Sequence, residues 1–236
     1  MINGGNPLTK MLGNIVKRNE DLEKRVARLE TLEFTSYTGG GGWHEIETLT
    51  KADSTELTFS FQNIPQIYLH LALIVSVQAI NETAYGIIQL LMRINNDSSN
   101  LYWYIVDQLN ITGPPYVCNR SCWAAFPTKV SFWLVCQVPA AGDGESNDPN
   151  CFNAAHIWVP DYRNQYKKRS GVWDNYTNEA KSGEAVRRLW REQGGGTYHD
   201  TTAVSRLDFW LSSNDPFAKN SKISLYGIQG TFEEYV

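Results

Sequence analysis

From Trp43 to Ile228 the apolar side chains recur at every second position, again and again, in short runs. Period two is the repeat of a strand with one face buried, and it is incompatible with a helix. His44–Leu49, Leu57–Phe61, Leu69–Leu73, Gly86–Asn95, Leu101–Asp107, Val130–Val138, Ala154–Val159, Val204–Leu211 and Ile223–Ile228 all carry it. Val, Ile, Tyr, Phe and Trp dominate these runs, as pleated surfaces favour. Asn95–Asn100, Gly113-Pro114-Pro115, Ala141–Gly144 and Asn214-Asp215-Pro216 supply turn chemistry between them. About nine strands without crossover helices predict a mainly β fold, an antiparallel β-sandwich of jelly-roll type. One internal helix is expected, within Asn178–Gln193, where Glu184–Trp190 would make two turns and Gly194-Gly195-Gly196 would stop it.

The first 34 residues obey a different period. With Leu8, Ile15, Leu22 and Leu29 at heptad position d, Leu12, Asn19, Val26 and Glu33 fall at a. Apolar residues at alternating steps of three and four are the coiled-coil signature, and a polar Asn19 at a fixes register. Arg18 and Arg25 then occupy g, and Glu23 and Glu30 occupy e. Parallel neighbours would pair Arg18 with Glu23 and Arg25 with Glu30. Residues 10–33 hold 11 charges in 24 positions, against 35 in the 203 positions after them. A charge-dense stalk and a charge-poor head are therefore expected: 1–34 as anchor and coiled coil, 35–42 as a Gly-rich linker, 43–236 as the β-sandwich head. Arg25-Val26-Ala27-Arg28-Leu29-Glu30 resembles the short trimerisation motif of three-stranded coiled coils, which implies a homotrimer.

The composition excludes several function classes. A net charge of −4 without a basic run argues against nucleic acid as a partner. No apolar stretch reaches the ~20 residues that span a bilayer, and Met1–Pro7 does not read as a signal peptide. Neither a nucleophile elbow, a metalloprotease helix nor a phosphate loop is present. No catalytic residue, cofactor or metal site is expected. Cys118, Cys122, Cys136 and Cys151 lack zinc-knuckle spacing, and His44, His70, His156 and His199 are not spaced as a triad. The five Asn-x-Ser/Thr sequons (Asn81, Asn96, Asn110, Asn119, Asn175) read as loop composition.

The aromatic content is high: 8 Trp, 12 Tyr and 9 Phe. Strand aromatics can enter a core. Those between Pro160 and Asp200 are expected mostly in loops. Tyr162, Tyr166, Trp173 and Tyr176, with Asp174 beside them, are the candidate ligand-binding residues. Flat rings cover the apolar face of a pyranose and a carboxylate receives its hydroxyls. The alternative is that this segment packs on the sandwich or at a three-fold interface. Lys167-Lys168-Arg169 reads as a solvated loop.

Four segments carry a family resemblance. Ile64–Leu71 resembles the second-strand signature of a β-sandwich module in structural proteins of tailed bacteriophages. Arg93–Asp97 with Asn100–Tyr104 is similar to its central hairpin, Val159–Asn164 with Tyr166-Lys167 to its long-loop segment, and Ser221–Ile228 to its closing strand. The resemblance spans roughly residues 43–230, although Arg169–His199 is longer and more aromatic than the pattern. It implies a virion surface protein, assembled in the host cytoplasm. The expected function is a homotrimeric fibre that docks on other virion proteins through its N-terminus and attaches to host surface polysaccharide. A purely structural decoration of head, neck or baseplate is the alternative.

Overall fold

A computed structural model describes residues 42–53, 55–80, 87–112, 117–141, 152–180 and 187–229. The expected stalk residues Leu12 to Glu30, the turns at 113–115 and 142–144, Asn81 and Cys151 lie outside them. The described part belongs to one compact unit, Gly42–Val236.

The described residues form thirteen strands: β1 (Trp43–Thr50), β2 (Thr58–Phe61), β3 (His70–Ser76), β4 (Ala79–Ile80), β5 (Ile87–Ile94), β6 (Tyr102–Thr112), β7 (Val117–Val130), β8 (Trp133–Ala141), β9 (Ala154–Val159), β10 (Arg169–Ala180), β11 (Arg187–Tyr198), β12 (Leu207–Leu211) and β13 (Lys222–Ile228). They form an eight-stranded sheet, β1-β13-β3-β9-β10-β11-β6-β7, and a five-stranded sheet, β2-β12-β5-β8-β4. Every pairing is antiparallel except the short β4–β8 contact. The mainly β fold with two sheets is as the alternation predicts, and among the described residues there is no helix.

The alternation is realised side chain by side chain. On β3, Leu71, Leu73 and Val75 are buried while Ile74 between them is exposed. On β9, Ala155, Ile157 and Val159 point inward, and Ala154 and His156 outward. These inner faces join Phe59, Phe61, Met92, Leu90, Val135 and Phe209 of the other sheet in one core. Asn63, Asn95, Asn96 and Asn214 adopt positive φ at turns, where their side chains tolerate the left-handed region. Asn95 also accepts the Ser205 and Arg206 amides on its Oδ1, at 2.8 and 3.2 Å.

Several local expectations change. The helical reading of Asn178–Gln193 is overturned: the chain is strand up to Ala180 and again from Arg187, and these two strands pair along twelve positions. β11 gains a second partner in β6, and pairing on both edges overrides the helix propensity of Arg, Leu and Glu. Gly194–Gly196 stop nothing; they lie inside β11. A Cβ at Gly194 would come within 2.2 Å of Trp173 Nε1, and one at Gly196 within 2.6 Å of Trp133 Nε1. Two indoles seated under the strand thus require bare backbone above them. The segments Arg93–Asp97 and Asn100–Tyr104 do not pair as a hairpin. β5 belongs to the five-stranded sheet and β6 to the eight-stranded one. Tyr102 secures the crossing, its hydroxyl accepting the Ile94 amide and lying 3.0 Å from the Ile94 carbonyl.

Candidate functional site

The structure separates the five aromatic-loop candidates. Tyr162 is fully buried in the turn after β9, its hydroxyl donating to the Pro65 carbonyl. Trp173 is not in a loop: it lies on the inner face of β10, 3% exposed, 6.0 Å from the Trp133 ring. Both are core residues: β10 buries every second side chain, Trp173 among them, and Tyr162 enters the core from the turn. Tyr166 stands 95% exposed in the turn between β9 and β10. Asp174 and Tyr176 are brought together on the outer face of β10, around Arg191 of β11. The Arg191 guanidinium lies 3.6 Å from Asp174 Oδ2 and 5.4 Å from the Tyr176 ring. Lys167 and Lys168 are exposed as expected, but Arg169 is buried, donating to the carbonyls of Lys167 and Thr201 at 2.6 and 2.7 Å.

The outer face of the eight-stranded sheet is the more informative surface. Strand register places Tyr226, Ala72, Trp158, Val172, Gly195, Ile105 and Ala124 opposite one another in a single row across seven strands. Of the nine large apolar or aromatic residues exposed among the described residues, six (Trp43, Ile74, Ile105, Val172, Tyr176, Leu189) stand on this face. A monomer seldom gathers so much of its exposed apolar surface on one sheet face without a use for it. The next row is polar. It runs from His156 through Asp174 and Gln193 to Asp107 and Cys122. Arg120 clamps Asp107 with two hydrogen bonds, of 2.8 and 2.5 Å, and holds its carboxyl below the usual range.

A trough of ≈ 550 Å³ opens in the apolar row, within the size range of small-molecule sites. Gly195 and Gly196 form its floor, Val172 and Ser170 one wall, and Ile105, Trp103 and Ala124 the other. Gly195 is the outward-facing glycine of the three. A Cβ there would meet only the Gly171 carbonyl at 3.3 Å and Val172 Cγ1 at 3.7 Å, so a shift of a few tenths of an ångström accommodates it. Interior packing demands glycine at 194 and 196; at 195 the missing side chain mainly keeps the trough open. Ser170 and Thr197 line its rim with hydroxyls, and Asp174, Gln193 and Asp107 stand one row away.

Beneath this face lies a buried polar cluster. Glu192, on the inner side of β11, is fully buried. Its Oε2 accepts the Gln137 amide at 2.5 Å and Asn175 Nδ2 at 3.1 Å; its Oε1 accepts Gln108 Nε2 at 3.1 Å. Burial pushes its carboxyl up to about 7, and the three donors hold it from rising further. Thr177 donates to the Gln137 carbonyl at 2.7 Å, and Asn153 lies 3.1 Å from Asn175 Oδ1 and 3.3 Å from Cys136 Sγ. The cluster ties β10, β11 and β6 of one sheet to β8 of the other. It is enclosed, so it serves the fold rather than a ligand. Burial, then the Glu192 charge, raises the Cys136 thiol well above its ordinary value.

Cys118 and Cys122 are exposed on β7, apart from Cys136, and among the described residues no three metal-ligating side chains gather. His70 accepts the Asp161 amide on Nδ1 at 3.0 Å, a structural role; burial lowers its pKa. Sequence reasoning missed the trough residues Val172, Gly195, Ile105 and Trp103. The available signal was the glycine run itself, legible once β11 is read as a strand and every second glycine is assigned to each face. Comparison with protein-family models, with curated proteins and with solved structures yields no match.

Proposed function

We propose that this chain is a homotrimeric bacteriophage fibre protein whose β-sandwich head attaches the virion to host surface polysaccharide. The observation that carries the attachment reading is the apolar trough floored by Gly195, on an exposed sheet face bordered by hydroxyl and carboxylate groups. Apolar patches of a sugar ring fit bare backbone and Val172, Ile105 and Trp103; sugar hydroxyls fit Ser170, Thr197 and Asp174. The glycan site of this proposal thus keeps Asp174 and Tyr176 at its margin and drops Tyr162 and Trp173.

The connectivity supports the viral reading. With the hairpins β6–β7 and β10–β11 and the two-residue β4 set aside, the remaining strands order as β1-β13-β3-β9 and β2-β12-β5-β8. That is a jelly roll of two interleaved Greek keys, an architecture common in viral surface proteins. The β10–β11 hairpin lies in Arg169–His199, the stretch where the chain is longer than the family pattern. The heptads of residues 8–33 support the trimer, and no catalytic role is proposed. Weak sites on three tethered heads gain avidity of ~10²–10⁴ without new contacts.

Gly195→Leu fills the trough from its floor. Binding of the full-length protein to surface polysaccharide purified from the propagating host should weaken roughly tenfold or more, the equivalent of about 1.4 kcal/mol, with the melting temperature nearly unchanged. Undiminished binding would move the site elsewhere. Absence of any binding by the unaltered protein would favour the decoration reading, and release of reducing sugar would make the head a depolymerase.

A further inference from the structure

The same sheet face carries a second patch at its other end. Trp43 of β1 is 43% exposed, and its ring touches three others. His156 stacks on it at 5.8 Å, Tyr226 lies at 5.7 Å and Trp158 at 6.2 Å. Ile74, 49% exposed, pairs with His156 in register and extends the patch. Exposed charges stand at its border, Glu45 and Glu47 on β1 and Lys222 on β13. An aromatic centre free of charge with a charged rim is the anatomy of a protein–protein contact. The patch and the trough are neighbours on this face: Trp158 pairs with Val172 of the trough wall, while their centres, Tyr226 and Gly195, lie four strand spacings apart, roughly 19 Å.

Its occupant follows from where the preceding chain arrives. Forty-one residues come before Gly42, and the chain passes from Gly42 directly into Trp43. On the stalk reading, three parallel helices end near residue 34 and the linker 35–42 connects each to a head. A flexible eight-residue segment reaches about 16 Å on average. The row across the sheet is roughly 29 Å wide. Three heads held so close to one axis are crowded together, and the surface nearest each point of attachment is the Trp43 patch. Tethering raises the effective concentration to the millimolar range, so a contact too weak to join free heads is populated.

We infer that the Trp43–Ile74–His156–Trp158–Tyr226 patch is the surface through which the heads of one fibre pack on one another around the stalk axis. The inference rests on the proposed trimer. The Gly195 trough lies beside the contact on the same sheet face, towards its other end, one per head.

Short-range chemical cross-linking of the full chain tests this. In a background with Cys118, Cys122 and Cys151 changed to Ser, Ile74→Cys and Tyr166→Cys are compared with a short bismaleimide, and light scattering gives the mass of each protein. Cys136 is buried, so each chain offers one accessible thiol and a trimer can hold one bridge; three-chain mass with covalent dimers at Ile74→Cys, and monomers at Tyr166→Cys, is the expected result. Adding Trp43→Ser should lower the linked fraction several-fold at unchanged mass. A three-chain mass with no linkage at Ile74→Cys would overturn the head contact while leaving the trimer standing, as would equal linkage at both sites. A mass of 26.8 kDa would remove the trimer itself and the contact with it.

Discussion

Glu192 is the residue with the most measurable consequence. Its carboxyl titrates near 7 in the folded chain and near 4.5 when unfolded. Between those values the folded state holds a proton that the unfolded state has released. Stability therefore falls as pH rises from about 4.5 to about 7, by up to roughly 3 kcal/mol, and stays low above that window. Glu192→Gln removes the titration. Its carbonyl can accept the Gln137 and Asn175 donors, and its amide faces Gln108, which can turn to present oxygen. The variant should melt close to the unaltered protein at pH 5 and clearly above it at pH 8, measured by calorimetry at both. The indoles below β11 give an opposite expectation. Gly196→Ala forces a Cβ to within 2.6 Å of Trp133 Nε1 and 2.8 Å of the Trp103 carbonyl, and should cost about 1–3 kcal/mol by chemical denaturation. Gly195→Ala, one residue away, should cost far less. Trp133→Ala empties the space under Gly171 and Gly196 and should cost about 3–5 kcal/mol.

At the scale of elements, legibility followed the cleanliness of the alternation. β3, β9, β12 and β13 bury Leu, Ile, Val and Phe at every second position, and each is visible in the sequence. β10 and β11 are not, because their inner faces carry Arg169, Gly171, Asn175, Thr177, Glu192, Gly194 and Gly196, residues that read as loop or helix. What makes them strands is non-local: hydrogen-bonded neighbours on both sides and a polar cluster whose partners sit on β8. The loop placement of Trp173 failed for the same reason, whereas the outward positions of Asp174 and Tyr176 follow once β10 is a strand. Among the described residues β7, fourteen residues long, has only β6 beside it, whereas β11 lies between β10 and β6. Native-state hydrogen exchange should accordingly show β11 amides protected well beyond those of β7.

For the whole molecule, the two regimes of charge density lead to one separable expectation. Removing residues 1–41 should leave a β-rich head that unfolds cooperatively, since Gly42–Val236 forms a compact unit of its own. Far-ultraviolet circular dichroism during thermal melting checks it, and loss of the β signal would refute it.

The strict in–out alternation of β6, β10 and β11 has a further consequence for how this surface can change. Tyr104, Val106 and Gln108 face inward; Trp103, Ile105 and Asp107 face outward. Gly171, Trp173 and Asn175 hold the core, while Val172 and Asp174 do not. Substitution tolerance along these strands should therefore oscillate with every residue, the intolerant positions belonging to folding and the permissive ones to whatever the face contacts. Heritable variation could rewrite the contact surface one outward residue at a time, with the scaffold beneath it left untouched.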